Sequence, residues 1–272
     1  MRVGFIGLGR QGAPMARRIV EGGHELTLWA RRPATVEPYA DTRAKLAGSP
    51  AELAASSDLV CLCVVGDDDV KHVLEGDTGV LAGLAPGGIV AIHSTVHPDT
   101  CREIAKQAAD KGISVIDAPV SGGAHAASDG ALLVMVGGDA DVVARARPVF
   151  ETYSDAIVHL GPVGSGQVAK ILNNVLFTAS LGTAASTLDL GESLGIPREE
   201  LFDVLTRGSA SSTALASIRL FGGSLDGLAP TAGVLLQKDV RHAASLAEGA
   251  SAPEGVVFTA ADAALTSMDH PR

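Results

Sequence analysis

The stretch Gly4–Ala16, GFIGLGRQGAPMA, places three glycines between a short apolar run and an amphipathic segment. Glycine loses more conformational freedom on folding than any other residue, so three at this spacing need a structural reason. The apolar run predicts a strand, and the segment after the last glycine predicts a helix. In such a turn Gly7 permits the tight bend and Gly9 lets a pyrophosphate approach the backbone. Gly12 lets the helix pack close to the strand.

The helix predicted after Gly12 would present unpaired backbone N–H groups and a partial positive charge, which favour phosphate. With a strand before it and a helix after it, the pattern is far more specific than GxGxxG alone. It predicts that a dinucleotide binds in contact with the residues of the motif, which are Gly7, Leu8, Gly9, Arg10, Gln11 and Gly12. A glycine-rich turn without a ligand is the alternative.

Residues 1–162 alternate between short apolar runs and amphipathic stretches. This alternation predicts an α/β dinucleotide-binding domain with a doubly wound, mostly parallel sheet of the Rossmann type. Helix signals agree with it, because SPAE (Ser49–Glu52) contains an N-cap serine, a first-turn proline and an acid, and Thr95–Gly112 predicts a helix that ends at a glycine. The strand candidates are Arg2–Ile6, Leu26–Trp29, Leu59–Val65, Ile89–His93, Ser114–Asp117, Leu132–Val136 and Ile157–Leu160.

The pattern changes after GPVGSG (Gly161–Gly166). From Gln167 onward the apolar positions follow helical spacing, and no later segment has a convincing strand pattern. GIPREELFDVL, LLQKDVRHAASLAEGA and the segment 253–268 also predict helices. Residues 163–272 are therefore expected to form an all-α domain.

Composition excludes several classes of function. The chain has 272 residues, 46% of them hydrophobic, and its formal net charge of −10 argues against nucleic acid as a partner. No apolar run approaches the roughly 18 residues of a membrane span. The apolar run that starts at Val3 leaves no room for a leader peptide, and Cys61, Cys63 and Cys101 lack the spacing of metal ligands. We expect a cytoplasmic protein with reduced thiols and no metal.

The sequence after the second strand candidate bears on the choice of cofactor. An NAD site usually has Asp or Glu about 20 residues after the glycines, where the carboxylate accepts the ribose 2′-hydroxyl. Here the strand runs into Ala30-Arg31-Arg32-Pro33, with no acid. Two guanidinium groups suit a 2′-phosphate better than a hydroxyl. We therefore expect NADP(H), with NAD(H) as a second cofactor, and the alternative is a pair of solvated arginines.

Four stretches in this order resemble the β-hydroxyacid dehydrogenase family, the group of 3-hydroxyisobutyrate dehydrogenases, tartronate semialdehyde reductases and glyoxylate/succinic semialdehyde reductases. They are GFIGLGRQGAPMA, DAPVSGGAHAASDGALLVMVGG, GPVGSGQVAKILNN and QKDVRHA. The resemblance covers nearly the whole chain. It implies a Rossmann domain, a long interdomain helix and a small helical domain, in a homodimer or homotetramer. It also implies interconversion of a small β-hydroxy acid and its semialdehyde or keto acid.

PVSGG (Pro119–Gly123) follows a strand and places a hydroxyl beside two glycines, whose N–H groups suit a carboxylate. The resemblance implies that Ser121, Gly122 and Gly123 hold the acid group of the substrate. A plain loop without a ligand is the alternative.

Lys170 shares a helical face with Gln167, three residues earlier, and Asn174, one turn later. The apolar neighbours Ile171 and Leu172 would bury this helix between the domains, and burial lowers the pKa of a lysine. The resemblance implies that Lys170 gives a proton to the carbonyl oxygen during reduction and removes it during oxidation. Asn174 would orient the substrate or the lysine. On spacing alone, a surface lysine is the alternative.

The resemblance assigns further residues to the cleft. Lys238 is implied to pair with the substrate carboxylate or the cofactor, and Asp239 to help hold the cleft closed, although a solvated helix face is the alternative. Ser94 and Thr95 follow a strand and match a step beside the nicotinamide ribose. Val65, at the end of the strand candidate Leu59–Val65, is also expected to contact the cofactor.

The chain also departs from the family pattern. The segment before Lys238 contains Thr231, expected to contact the substrate, and Gly233. The short-chain semialdehyde reductases tend to carry phenylalanine at the position of Thr231 and a bulky aliphatic residue nearby, so we expect an enlarged or more polar pocket. His125 is interpreted as a surface histidine, and Asp67–Asp69 as a solvated helix start without a catalytic role. The chain stops short of the family's usual carboxyl-terminal tail, which weakens inference about the oligomer.

Two other functions remain open. Imine reductases share this architecture but commonly place Asp or Tyr where Lys170 stands. A non-catalytic NADP-binding redox sensor would have no need of Ser121, Lys170 and Asn174 together. The combination therefore favours a small carboxylate-bearing substrate, whose identity and stereochemistry the sequence does not determine.

Overall fold

The computed structural model describes residues 1–272 and divides into two compact units, Met1–Lys170 and Ile171–Arg272. One long helix, α8 (Ser165–Ser193), contains the boundary between them. The expected boundary at 162/163 falls a few residues before this division.

The first unit is built on a six-stranded parallel sheet with the order β3-β2-β1-β4-β5-β6. The strands are β1 (Arg2–Ile6), β2 (Glu25–Trp29), β3 (Lys45–Leu46), β4 (Leu59–Leu62), β5 (Ile89–Ile92) and β6 (Ser114–Asp117). Helices α1 (Gly12–Glu21), α2 (Pro50–Ala55), α3 (Asp67–Leu74), α4 (Val80–Gly83) and α5 (Pro98–Ala109) connect them. β4 and β5 are buried along their whole length, as expected for strands covered on both faces. The chain order reverses at β1, and a ligand crevice forms at such a switch point.

A three-stranded sheet completes the first unit. It contains β7 (Val120–Ser121), β8 (Leu132–Val136) and β9 (Ser154–His159), with α6 (Gly123–Asp129) and α7 (Ala140–Phe150) between them. β8 pairs antiparallel with β7 and parallel with β9.

The second unit contains only helices. After α8 come α9 (Arg198–Arg207), α10 (Thr213–Leu220), α11 (Leu225–Gly249) and α12 (Gly255–Ser267). Its core holds large buried side chains from every helix, Phe202 and Phe258 among them. The predicted fold, a Rossmann sheet followed by an all-α region, is confirmed.

The helix start predicted at Ser49–Glu52 is present in the structure as the start of α2. The Ser49 hydroxyl accepts from the backbone N–H of Glu52 at 3.1 Å, and the Glu52 carboxylate accepts from the backbone N–H of Gly48 at 2.7 Å. The first bond is the N-cap of α2, and the second pairs Glu52 with the residue before the N-cap, whereas a capping box would pair it with the N–H of Ser49 itself.

The expectation that α8 buries its apolar face is wrong in part. Ile171 and Val175 are buried, whereas Leu172 and Leu176 are 60% and 63% exposed. The helix has apolar residues on more than one face, and the neighbours in its own unit cover only one of them.

Candidate active site and cofactor cavity

A cavity of about 460 Å³ lies where β1, β2 and β4 end in the first unit. Its walls come from the loops and helix starts that follow these strands, as expected for the crevice of a doubly wound sheet. The lining residues are Ile6, Gly7, Leu8, Gly9, Trp29, Ala30, Arg31, Arg32, Thr35, Cys63, Val64, Val65, Asp69, His72 and Val73.

The three glycines of the motif differ in what surrounds them. Gly7 has a φ of +103°, and a Cβ there would lie 2.2 Å from the carbonyl oxygen of Cys63. A Cβ on Gly12 would lie 2.0 Å from the carbonyl oxygen of Gly7. On Gly9, by contrast, a Cβ would meet no protein atom within 4 Å. The protein itself does not require glycine at this position, so the space beside Gly9 fits a group that approaches the backbone from outside the chain.

Not every residue of the predicted cofactor set lines this cavity. Gly12 is buried under Gly7, and the Gln11 amide lies 3.8 Å from the sulfur of Met15 on its own helix. Arg10 is exposed at the turn. No side chain caps the first turn of α1, and that turn carries no acid. Within it the backbone N–H of Ala13 donates to the Gly9 carbonyl at 2.9 Å, and Pro14 has no N–H, so an anion would meet the turn that precedes them.

The far end of the cavity is basic, with one acid in it. Arg31 and Arg32 follow β2, and Thr35 ends a short 3₁₀ turn beside them. Asp69, in the first turn of α3, reaches this end, and its carboxylate lies 3.4 Å from the Arg31 guanidinium. The residues that directly follow β2, Ala30–Pro33, include no acid, and the structure brings one from a different element.

The interpretation of Asp67–Asp69 as a solvated helix start is therefore wrong for two of its three acids. The Asp67 carboxylate accepts from the backbone N–H of His97 at 2.8 Å and from the Thr100 hydroxyl at 2.7 Å. Asp69 pairs with Arg31, and only Asp68 is fully exposed.

Ser94 is buried after β5, and its hydroxyl accepts from the backbone N–H of Val64 at 2.8 Å. The Gln167 side chain donates to the Ser94 carbonyl at 2.8 Å and accepts from the backbone N–H of Val96 at 3.1 Å. These bonds fix the loop around Thr95, which is partly buried. The Gln167 amide is thus used to hold this loop in place. Of the three polar residues predicted on one face of α8, Lys170 and Asn174 remain as candidates for contact with the substrate.

His93, next to Ser94, is excluded as an acid–base group. Its Nδ1 lies 2.7 Å from the Ala118 carbonyl oxygen, which only accepts, so Nδ1 carries the proton. Its Nε2 faces the Tyr153 hydroxyl at 3.2 Å. Complete burial lowers the pKa of His93 to about 4, so the imidazole is neutral at physiological pH.

Asp117 is a buried residue that fixes the start of α8 and that the sequence pattern does not predict. Its buried carboxylate accepts from the backbone N–H groups of Gly164 at 2.6 Å and Gln167 at 2.8 Å, and so caps the start of α8. A Cβ on Gly137 or Gly166 would lie 2.4 or 2.9 Å from this carboxylate, so both glycines leave room for it. Burial raises the pKa of Asp117. The sequence contains no local signal for this cap, because Asp117 and α8 are far apart in the chain.

The stretch Ser121–Gly123 forms the end of β7 and the start of α6. Gly122 and Gly123 have φ values of +129° and +73°, which suit glycine, and both are exposed. Ser121 is partly buried. The nearby His125 is 91% exposed, with Asp129 at 3.5 Å, in agreement with its interpretation as a surface histidine.

In the second unit, α8 and α11 bring three predicted residues together. The Asn174 amide donates to the Asp239 carboxylate at 2.6 Å, and the Lys238 ammonium lies 3.0 Å from the other oxygen of that carboxylate. Asp239 is buried, and Lys238 and Asn174 are partly buried. Lys170, also partly buried, lies one turn before Asn174 on α8. Thr231, two turns before Lys238 on α11, is exposed.

The space beside Gly233 is occupied by another part of the chain, so this glycine does not by itself open a cavity. A Cβ on Gly233 would lie 2.0 Å from Cδ2 of His270, so the imidazole occupies the space that the glycine leaves. The Gln237 amide also donates to the Pro271 carbonyl at 2.6 Å. The segment after α12 is thus packed along α11.

Comparisons with known proteins identify the family. The NAD-binding domain of 6-phosphogluconate dehydrogenase matches residues 2–161, and the domain described as NAD-binding of NADP-dependent 3-hydroxyisobutyrate dehydrogenase matches residues 164–269. The NAD-dependent L-serine dehydrogenase of Pseudomonas aeruginosa is 36% identical over 214 residues, which are 79% of this chain and 72% of that protein. This chain belongs to the β-hydroxyacid dehydrogenase family.

Solved structures agree with this membership of the β-hydroxyacid dehydrogenase family. Mycobacterium tuberculosis 3-hydroxyisobutyrate dehydrogenase with L-serine has a TM-score of 0.83 at 30% identity, with 99% of this chain and 94% of that chain covered. Psf3 in complex with NADP⁺ and 2-OPP has a TM-score of 0.84 at 27% identity, with 98% and 93% covered. The imine reductase of Streptomyces aurantiacus, at 19% identity and a TM-score of 0.67, shares the fold alone.

As a member of the β-hydroxyacid dehydrogenase family, the protein uses a nicotinamide dinucleotide, and its residues fit that group. The open space beside Gly9, the uncapped start of α1 and the basic end of the cavity match the pyrophosphate and the adenosine half of such a cofactor. No cluster of three or more His, Cys, Asp or Glu side chains in residues 1–272 is arranged to hold a metal ion. None of the helices has the length and apolar character needed to cross a membrane.

Proposed function

We propose that this protein is an NADP-dependent dehydrogenase that interconverts a small β-hydroxy acid and its semialdehyde or keto acid. The observation that carries the proposal is the cavity at the end of β1, with open space beside Gly9 at one end and two arginines at the other. The names of the similar proteins support 3-hydroxyisobutyrate and L-serine as the first substrates to test. Both are β-hydroxy acids.

NADP is preferred in this proposal because of Arg31 and Arg32. A dianionic 2′-phosphate gains charge-assisted hydrogen bonds from guanidinium groups, whereas a neutral ribose hydroxyl gains much less. Arg32 lines the cavity without a carboxylate partner, so its charge is available to the phosphate.

Lys170 is assigned the proton transfer. A bound nicotinamide supplies or accepts the hydride. In reduction Lys170 gives a proton from its ammonium group to the carbonyl oxygen, and in oxidation the neutral amine takes the hydroxyl proton. The Asn174 amide, held by Asp239, orients the substrate or the lysine.

The acid group of the substrate is assigned to Ser121, Gly122 and Gly123. The left-handed backbone of the two glycines exposes N–H groups, and successive N–H groups of this kind form a concavity for anions. Lys238, whose charge is partly balanced by Asp239, is assigned to the substrate carboxylate or the cofactor. Thr95 is placed beside the nicotinamide ribose.

The first test follows the absorbance of reduced nicotinamide with purified protein. NADPH or NADH is combined with semialdehydes and small keto acids, and NADP⁺ or NAD⁺ with 3-hydroxyisobutyrate and L-serine, with cyclic imines as controls. We expect turnover with acid-bearing substrates, and a lower KM with NADP(H). Turnover only on imines would overturn the substrate class, and a lower KM with higher turnover on NAD(H) would overturn the cofactor preference.

Lys170→Ala is expected to lower kcat by about 100- to 10,000-fold, the usual contribution of a positioned acid or base. Cofactor affinity should be unchanged, which the fluorescence of Trp29, the single tryptophan of the chain, reports from inside the cavity. Lys170→Arg keeps the charge but does not release a proton, so it should be similarly slow.

The control for Lys170 is Lys106→Ala, which removes an exposed lysine from α5. It should leave kcat and KM at wild-type values. Retained turnover in Lys170→Ala would remove Lys170 from the mechanism.

A homodimer or homotetramer is also part of the proposal. Leu172, Leu176 and Leu190 are exposed on one face of α8, and Leu194, the residue after the helix ends, continues their helical spacing. Exposed leucines near both ends of one helix face favour association with another chain. The three cysteines are free and buried or partly buried, in keeping with a cytoplasmic protein.

A further inference from the structure

Arg31 and Asp69 both line the cofactor cavity and form an ion pair between two elements. Arg31 follows β2, and Asp69 lies in the first turn of α3, with 3.4 Å between their charged groups. The Asp69 side chain is 29% exposed and the Arg31 side chain 66% exposed. Both line the cavity, so the pair is at the site and not on a distant surface.

The position of Asp69 is fixed by the residues around it. Asp67 anchors the start of α3 through the backbone N–H of His97 and the hydroxyl of Thr100. Val70 and Val73, on the same helix, are buried in the core of the first unit. The carboxylate of Asp69 is thus held at the cavity by a packed helix, while Arg31 is on a more exposed loop.

The two arginines of the cavity differ in whether a carboxylate lies beside them. Arg32 contributes a cation without a carboxylate partner, whereas the charge of Arg31 is opposed by Asp69. A 2′-phosphate dianion gains from both guanidinium groups and loses from the carboxylate. A ribose 2′-hydroxyl, by contrast, can donate to a carboxylate, as it does to the acid that usually follows the second strand.

On this basis we propose that Asp69 sets the cofactor specificity of this enzyme, by opposing the 2′-phosphate of NADP and accepting a hydrogen bond from the 2′-hydroxyl of NAD. The acid that the sequence lacks directly after β2 is thereby supplied by α3. The cavity keeps its preference for NADP through Arg32 and remains open to NAD through Asp69. This inference rests on the proposed dinucleotide site, and it adds the residue that limits discrimination there.

The test measures binding of NADP⁺ and NAD⁺ without substrate, by titration of Trp29 fluorescence. The two ligands differ only in the 2′-phosphate, and binding alone makes the result independent of turnover. Asp69→Asn should tighten NADP⁺ about two- to fivefold, the upper part of the range expected for one partly exposed charge, and should leave NAD⁺ unchanged or weaker. The change should shrink at high salt, because screening weakens the interaction between the carboxylate and the phosphate.

Asp68→Asn is the matched control. It removes the same charge from the same helix turn, but Asp68 is exposed and does not line the cavity. It should change the ratio of the NADP⁺ and NAD⁺ dissociation constants by less than about twofold. Arg32→Ala should move the ratio in the opposite direction from Asp69→Asn, towards NAD⁺.

The outcomes separate this inference from the proposed function. If Asp69→Asn behaves like Asp68→Asn, or shifts both ligands equally, Asp69 does not set specificity, although the dinucleotide site stands. If the wild-type protein binds neither NADP⁺ nor NAD⁺, the proposed site itself is wrong. A ratio that moves towards NADP⁺ in Asp69→Asn, and stays within about twofold of wild type in Asp68→Asn, supports the inference.

Discussion

A methyl group placed on Gly9 would meet no protein atom within 4 Å, whereas one placed on Gly12 would lie 2.0 Å from the carbonyl oxygen of Gly7. Gly7 itself needs its φ of +103°, which other residues rarely adopt. The three positions are therefore glycine for different reasons. Position 7 needs glycine for its backbone conformation, and position 12 needs it for packing. No protein atom requires glycine at position 9, in keeping with the proposed approach of the cofactor to this backbone.

This difference predicts opposite behaviour for two similar substitutions. Gly9→Ala should leave stability within about 1 kcal/mol of wild type, because the added methyl group meets no atom and the unfolded chain loses freedom. It should weaken NADP⁺ binding by at least about tenfold, since the methyl group takes the space of the pyrophosphate. Gly12→Ala should destabilise the protein by about 1–3 kcal/mol through the clash. Thermal unfolding and Trp29 titration measure the two effects.

Wild-type affinity in Gly9→Ala would show that the cofactor does not approach this backbone. A loss of stability as large as that of Gly12→Ala would show that protein atoms, and not the ligand, require the glycine.

A residue's role is predictable from the sequence when the residues it contacts are close to it in the chain. The glycine motif and the N-cap at Ser49 each lie within a few residues of the chain, so the spacing of the sequence predicts them. Asp69 and Asp117 act on residues of other elements, through contacts that only the folded chain creates. The site is therefore predictable where one turn builds it, and not where two elements meet.

At the scale of elements, long helices and buried strands are easier to predict from the sequence than very short ones. The long helices and the buried strands of the six-stranded sheet follow the pattern of the sequence, with ends that differ by a few residues. The two-residue strands β3 and β7 are too short to carry an alternating pattern. No separate helix is predicted from the sequence over the eight residues of α10. Strand β4 ends at Leu62, so Val65 lies in the loop that lines the cavity.

The packing of the segment after α12 on α11 gives a prediction at this scale. Gly233→Ala should lower the midpoint of thermal unfolding, because its methyl group overlaps the imidazole of His270. The cost should be about 1–3 kcal/mol, since the side chain must move from its packed position. In a His270→Ala background the same substitution should be nearly neutral, because the overlapping atoms are gone.

The four proteins of this double-mutant cycle isolate the contact. Coupling of about 0.5–3 kcal/mol between Gly233 and His270 is expected for residues in direct contact. Additive costs, with no coupling, would show that His270 does not occupy this space in solution.

At the scale of the whole molecule, the exposed leucines on and just after α8 are spaced symmetrically about Thr183. Leu172 and Leu176 precede Thr183 by eleven and seven residues, and Leu190 and Leu194 follow it by seven and eleven. Two copies of the helix, packed antiparallel about Thr183, would place Leu172 against Leu194 and Leu176 against Leu190. A two-fold interface uses the same patch on both chains, so this spacing suits a dimer.

Leu190→Glu should therefore weaken self-association, because it puts a carboxylate opposite a leucine of the second copy. The matched control is Leu220→Glu, the same change at an exposed leucine of α10 that lies outside the face. Light scattering after size exclusion should give wild type and Leu220→Glu at least twice the chain mass of 27.5 kDa, and Leu190→Glu a lower value at the same concentration. A wild-type mass of one chain, or equal masses for the two variants, would contradict an interface on this face of α8. Because Leu190 is already exposed, its substitution should not alter the folding of the single chain, so a lower mass would report the loss of the interface itself.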